Sequence, residues 1–171
     1  ASTGIGCILN EANVKPYHKV AIVGIGSLGL CLIMGAKLAN AEEIIAFDDR
    51  KNAGKKVRIF GGSKTLKINF KKYQHYFDKV FISATQPKNI EYAHSILNEG
   101  GELYVVGVPS PKEKIKIKSI GIHFNKKLRG SYGGSIVPER DIPAYTNLQN
   151  KKIINLNQLI VKEYKLDDIN I

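Results

Sequence analysis

A short apolar strand that runs straight into three spaced glycines and then into a helix constrains this chain more than any other feature. Val20-Ala21-Ile22-Val23 is a β-rich run with no polar residue, the pattern of a strand buried on both faces. Gly24-Ile25-Gly26-Ser27-Leu28-Gly29 follows without a linker in the form G-x-G-x-x-G, and a helical pattern opens at Ser27. In a chain with 16 glycines the spacing alone is a weak signal. Its place between strand and helix gives it weight. Gly24 suits a tight turn, Gly26 leaves room beside a pyrophosphate, and Gly29 lets the helix pack closely on the strand. The helix N-terminus adds free N–H groups and a partial positive charge facing the phosphates.

A plain strand–helix turn would use such glycines too, so a second element has to be found. Asp48 closes the next apolar strand, 24 positions after Gly24, close to the spacing of about 20 residues that the fingerprint expects. A carboxylate there accepts hydrogen bonds from the adenosine ribose and repels a 2′-phosphate, which favours NAD over NADP. Arg50 and Lys51 stand close enough to offset that repulsion. The alternative for Asp48 is a strand-end acid that caps the following helix.

The rest of the chain keeps the same rhythm. Ser27 to Asn40 has helical spacing, with Leu28, Cys31, Leu32, Gly35 and Leu38 on one side. Ile44–Phe47 reads as the second strand, Lys51–Phe60 as a weaker helix ended by Gly61-Gly62, and Leu66–Asn69 as a brief third strand. Val80–Ile82 is the fourth strand, Pro87–Asn98 a helix that stops at Gly100-Gly101, and Leu103–Val108 the fifth strand. Lys114–Lys118 alternates strictly and reads as a half-exposed strand; Leu128–Ser131 reads as a sixth core strand and Pro138–Asn150 as a helix. Strands separated by helices are βαβ units. The expected fold is therefore α/β, a Rossmann doubly wound, mostly parallel six-stranded sheet with helices on both faces.

Composition narrows the setting. A length of 171 residues suits one domain that buries about two-thirds of its unfolded surface, without help from disulfides or a metal. Hydrophobic residues at 43% and charged residues at 24% exclude a disordered chain. Two cysteines exclude a disulfide scaffold and place the protein in a reducing, cytoplasmic setting. The longest apolar stretch, Leu28–Leu38, is broken by Gly29, Gly35 and Lys37. It falls short of the roughly 20 residues that span a bilayer, so no membrane partner is expected. The net charge of +11 is spread over isolated pairs such as Lys55-Lys56 and Lys126-Lys127. Without an aromatic-interleaved basic motif this reads as a lysine-rich solvated surface, with no nucleic-acid partner. The first residue is Ala1 and no signal segment follows, so the sequence reads as a piece of a longer protein.

Taken with these features, the chain resembles the cofactor-binding domain of the zinc-type medium-chain alcohol dehydrogenases. Ser2-Thr3-Gly4 is similar to the family's S-T-G before the helix that leads into that domain, and Val20–Lys37 to its first βα unit. Ile44–Asp48 is similar to the second strand and its acid, and Glu99-Gly100-Gly101 with Val105–Pro109 to the fifth strand. Leu128–Gly134 resembles the segment that ends in Gly-Gly, and Tyr164–Asn170 the return to the catalytic domain. The resemblance implies that Gly24, Gly26, Ser27, Leu28 and Gly29 hold the pyrophosphate of NAD(H) and that Asp48 holds the adenosine ribose. It implies that Thr3 and Val106 sit beside the nicotinamide, and that Ala84 and Thr85 border the adenine side. The family often has glycine at the position of Thr85 and an acid at that of Ile82, so the pattern is departed from there.

The same resemblance implies residues 1–160 as the dinucleotide-binding domain with its lead-in helix, and residues 161–171 as the start of the return to a missing N-terminal catalytic domain. It implies hydride transfer between nicotinamide and an alcohol or carbonyl substrate in the full-length enzyme, with this fragment inactive alone. Zinc, where the parent has it, would be held mainly from the missing domain and not by this chain. This sequence has no C-x-x-C and no Cys–His set at ligand spacing; His18, His75, His94 and His123 are dispersed, and no catalytic residue can be named. Cys31 reads as a core residue, and Cys7 has no activating partner in the sequence. A homodimer through an edge strand is also implied, with Ile115–Ile117 and Leu128–Ser131 as candidate edges. Two other classes compete: a stand-alone dinucleotide-binding redox-sensing or regulatory module, and a basic domain that binds nucleic acid or another polyanion.

Overall fold

The computed structural model describes residues 1–168. Six strands form one sheet: β1 (Lys19–Val23), β2 (Glu43–Phe47), β3 (Lys64–Leu66), β4 (Phe77–Ile82), β5 (Leu97–Val105) and β6 (Lys127–Gly130). Their order is β3-β2-β1-β4-β5-β6, and every pairing is parallel. The order reverses between β1 and β4, so the C-terminal ends of these two strands flank the crevice where doubly wound sheets bind ligands.

The strand sequences explain the two-sided burial. On β1, Val20 and Ile22 point into one apolar cluster and Ala21 and Val23 into the other. The first cluster is covered by α1 (Ser2–Gly6), α2 (Ser27–Leu38), α3 (Ala53–Phe60) and Tyr145 of α6 (Pro138–Asn150). The second is covered by Ile90 and Ala93 of α4 (Pro87–Ser95) and by an aromatic group in which Phe47 packs on Phe70, Tyr73 and Phe77. Residues Gly29 to Ala36 of α2 are buried without interruption. The single apolar stripe read from the sequence is therefore too narrow: α1 packs on that stripe, where a Cβ on Gly4 would stand 2.6 Å from that of Cys31, while Leu30, Ile33 and Met34 outside the stripe are buried as well.

Three sequence expectations need correction. Lys114–Lys118 is not a strand: it has no sheet partner among the described residues, and Lys116 donates its N–H to Glu91 Oε1 of α4 at 2.7 Å. The alternation there reflects Ile115 turning to a cleft, so Ile115–Ile117 is not a sheet edge; β3 and β6 are the edges. The third strand lies at Lys64–Leu66, earlier than expected, because its register follows Ile45–Phe47 of β2. The helix after Pro87 stops at Ser95, and β5 already begins at Leu97. Gly100-Gly101 lies inside that strand, where the register shifts between the Phe77 and Lys79 pairings. A short helix, α5 (Ser119–His123), has no counterpart in the sequence reading. The segment Tyr164–Asn170, read as a return to another domain, runs in part outside the described residues.

Candidate functional site

The glycine loop spans the crevice as its sequence requires. Gly24 has φ +88°, and a Cβ there would meet Ser83 Oγ at 2.8 Å and Ala84 Cβ at 3.0 Å. Only glycine combines that backbone with so close an approach. A Cβ at Gly29 would collide with the Gly24 carbonyl oxygen, so this glycine lets α2 start against the end of β1. Gly26 is different: its φ is −74°, and a Cβ there would meet nothing within 4 Å. Nothing in the protein requires a glycine at that position. The open space lies at the N-terminus of a 12-residue helix with no side-chain cap, where the first N–H groups have no intrahelical acceptor. An uncapped helix start with vacant space beside it fits a pyrophosphate.

Asp48 stands one strand away at the end of β2 and is buried, 7% exposed. Its Oδ2 accepts the Ile25 N–H at 2.7 Å, which ties the acid directly to the glycine loop. Oδ2 also accepts Arg50 Nη2 at 2.7 Å, and Oδ1 accepts the Arg50 N–H at 2.8 Å and Nε at 2.9 Å. Burial alone would raise the Asp48 carboxyl; the hydrogen bonds from Arg50 and Ile25 outweigh it and hold the group below its ordinary value. Capping of the following helix is not its role, since Asn52 is the N-cap residue of α3 and makes no side-chain cap.

On the other side of the crevice, Ser83 closes the seam. Its N–H donates to the Val23 carbonyl at 2.9 Å and its hydroxyl to the Gly24 carbonyl at 2.8 Å. Sequence reading missed Ser83; its only signal is its place just after an apolar strand. Ala84 lies against Gly24, and Thr85 lies against Gly107 beyond β5. Val106 is buried, with its N–H bonded to the Ile82 carbonyl at 2.9 Å, and borders a cleft of about 510 Å³ that also takes in Gly107, Leu128 and Ser131. Thr3 is carried by α1, whose neighbours are α2 and the Gly133–Gly134 turn, rather than by the sheet. The structure thus gathers Gly24, Gly26, Ser27, Leu28, Gly29, Asp48 and Ala84 at the crevice. Thr85 and Val106 lie further along the same sheet edge.

Both cysteines are buried. Burial pushes the Cys7 thiol up to about 12 and raises that of Cys31, so neither supplies a thiolate at neutral pH. Among the described residues, no three of His, Cys, Asp and Glu come together as a metal site, so the residues present do not fit a zinc ion. No described helix is long and apolar enough to cross a membrane.

Comparison with known proteins agrees with this geometry. The sequence pattern of the family described as zinc-binding dehydrogenase matches residues 27–151. Alcohol dehydrogenase 2 of Zea mays is 28% identical over 182 aligned positions, covering 99% of this chain and 48% of the relative. The crystal structure of an alcohol dehydrogenase zinc-binding domain protein from Burkholderia ambifaria superposes with a TM-score of 0.92 at 24% identity, over 99% of this chain and 48% of the other. Two further neighbours carry a dinucleotide. One is a putative zinc-binding dehydrogenase from Sinorhizobium meliloti bound to NADP (TM-score 0.75, 20% identity, 91% of this chain and 48% of that one). The other is acetophenone reductase from Geotrichum candidum in complex with NAD (TM-score 0.78, 18% identity, 90% and 44%). The chain spans about half the length of the curated relatives it matches. With the family pattern covering most of its residues, the chain belongs to the zinc-binding dehydrogenase family.

Proposed function

We propose that this chain is the NAD(H)-binding half of an oxidoreductase that moves hydride between nicotinamide and an alcohol or carbonyl substrate. One observation carries the reading: the open space at Gly26 lies over the uncapped start of α2, at the point where the strand order reverses, with Asp48 one strand away. The backbone of Gly24, Gly26, Ser27, Leu28 and Gly29 would hold the pyrophosphate, and Asp48 the adenosine ribose. Ala84 and Thr85 would border the adenine side, and Thr3 and Val106 the nicotinamide. When bound, the nicotinamide supplies the hydride acceptor or donor at its C4. This chain's residues bind it, orient it and keep one face of the ring against protein. The dinucleotides in the Sinorhizobium and Geotrichum structures support the cofactor class.

The reacting partner would come from the half of the relatives that this chain does not cover. Val108 and Tyr132, 90% and 97% exposed, stand beyond the C-terminal ends of β5 and β6, on the cofactor edge of the sheet. Large apolar groups so exposed suit a face that meets further protein. A homodimer through the β6 edge belongs to the same reading. Calorimetric titration of NADH into the chain tests it. Asp48→Ala is expected to weaken binding by about tenfold or more, the effect of hydrogen bonds to a charged group. No heat of binding in the unsubstituted chain would refute the dinucleotide site.

A further inference from the structure

α5, the one regular element between β5 and β6, turns a single buried residue, Gly121, toward the body of the protein. Its Ile120 and Ile122 are 57% and 55% exposed. A Cβ on Gly121 would stand 2.8 Å from His94 Cε1 and 3.4 Å from Lys126 Cδ, so α5 rests on an imidazole of α4 and a lysine stem. Both of those side chains are buried, His94 at 4% and Lys126 at 5% exposure. His94 Nε2 has no hydrogen-bond partner. Among the described residues, no carboxylate lies within ion-pair distance of the Lys126 ammonium.

Two bases in one nearly dry space resist carrying charge together. Lysine has the far higher ordinary value and keeps its proton, so the imidazole is the group that changes state. Burial and the Lys126 charge hold His94 below its ordinary value. The acids nearby are engaged elsewhere or lie in solvent. On α4, the Glu91 carboxylate accepts the Lys116 N–H at 2.7 Å; on β5, Glu99 is exposed and acts on Lys126. On the α5 side, His123 packs edge-on against Phe124, and both it and Lys118 at the N-cap are exposed. The segment leading into α5 supplies Glu113 and Ile115 to the wall of the cleft that Val106 borders. Release of α5 returns the ring to its ordinary value, which is the higher one. The closed arrangement is therefore favoured above about pH 6.5 and loses ground as pH falls below it.

We propose that His94 is an acid-triggered latch: on taking up a proton it drives α5 off α4 and Lys126, and the cleft wall at Glu113 and Ile115 opens. The latch works in the free chain and needs no dinucleotide. Amide hydrogen exchange, corrected for the intrinsic effect of pH, tests it. Protection at Gly121, Phe124 and Lys126 is expected to fall by up to about tenfold per pH unit below about pH 6.5, the limit for one proton, while Val20–Val23 of β1 keep theirs. H94Q should abolish the fall, and K126M should reduce it. Protection of α5 that is flat with pH, that falls equally in H94Q, or that falls together with β1 would overturn the latch. Titration of the His94 ring by nuclear magnetic resonance needs no His94 substitution. The ring should titrate below its ordinary value in the unsubstituted chain and move up in K126M. Titration at or above about pH 6.5, or at the same pH in both proteins, would equally overturn it.

Discussion

Three glycines in one motif answer to three different constraints, and single substitutions separate them. Gly29 is required by packing, because a Cβ there runs into the Gly24 carbonyl. Gly29→Ala is expected to lose about 1–3 kcal/mol of stability, the usual cost of overpacking, measured by urea unfolding. Gly26 is required by nothing in the protein, since a Cβ there meets no atom within 4 Å and φ is −74°. Gly26→Ala should therefore cost less than about 1 kcal/mol in the same assay, yet weaken NADH about tenfold or more by filling the pyrophosphate space. A large stability loss in Gly26→Ala would show that this glycine serves the fold. The sequence pattern announced all three glycines and Asp48. It did not reveal that Arg50 occupies the Asp48 carboxylate, because a guanidinium two residues on can point anywhere. Nor did it reveal Ser83, whose role depends on β4 lying beside β1.

Between elements, the most heavily charged junction lies away from the cofactor crevice. Glu102 on β5 is bonded to Lys79 Nζ at 2.7 Å on β4, to Lys127 Nζ at 3.2 Å and Arg129 Nη2 at 3.5 Å on β6, and to the Tyr104 hydroxyl at 2.7 Å. One carboxylate thus joins three neighbouring strands. Burial would raise it, but the hydrogen bonds from Lys79 and Tyr104 and the lysine charge bring it from 4.5 down to about 2. A carboxyl depressed in the folded state contributes stability that is complete above its unfolded value and lost as pH falls through its folded one. Unfolding free energy should therefore fall between about pH 4.5 and about pH 2 more steeply than in Glu102→Gln. Parallel pH dependences in the two proteins would contradict this. None of this cluster was legible beforehand, because its members lie far apart in sequence and meet only through the parallel register. The buried strands β1 and β2 were legible, since two-sided burial leaves unbroken apolar runs. Lys114–Lys118 misled because period two was its only signal for a strand, and an irregular segment with Ile115 lining a cleft carries the same residue pattern.

At the scale of the whole molecule, surface charge and the exposed sheet edge govern association. The net charge of +11 is spread over lysine pairs. Non-specific contact with duplex DNA should therefore vanish at about 150 mM salt, where scattered phosphate contacts are screened, and retention at that salt would favour a polyanion-binding role. Among the described residues the β6 edge is unpaired, and it carries Leu128 at 38% exposure, so sedimentation is expected to show a concentration-dependent dimer. Only monomer at high concentration would remove the dimer from the reading. The central claim, that the crevice between β1 and β4 holds the cofactor, is tested most directly by amide nuclear magnetic resonance during a titration with NADH. Shifts are expected to concentrate at Ile25–Gly29, Asp48–Arg50 and Ser83–Thr85, with Asn155–Gln158 unmoved. Shifts centred on the lysine pairs with the glycine loop silent, or no shifts at saturating NADH, would contradict it.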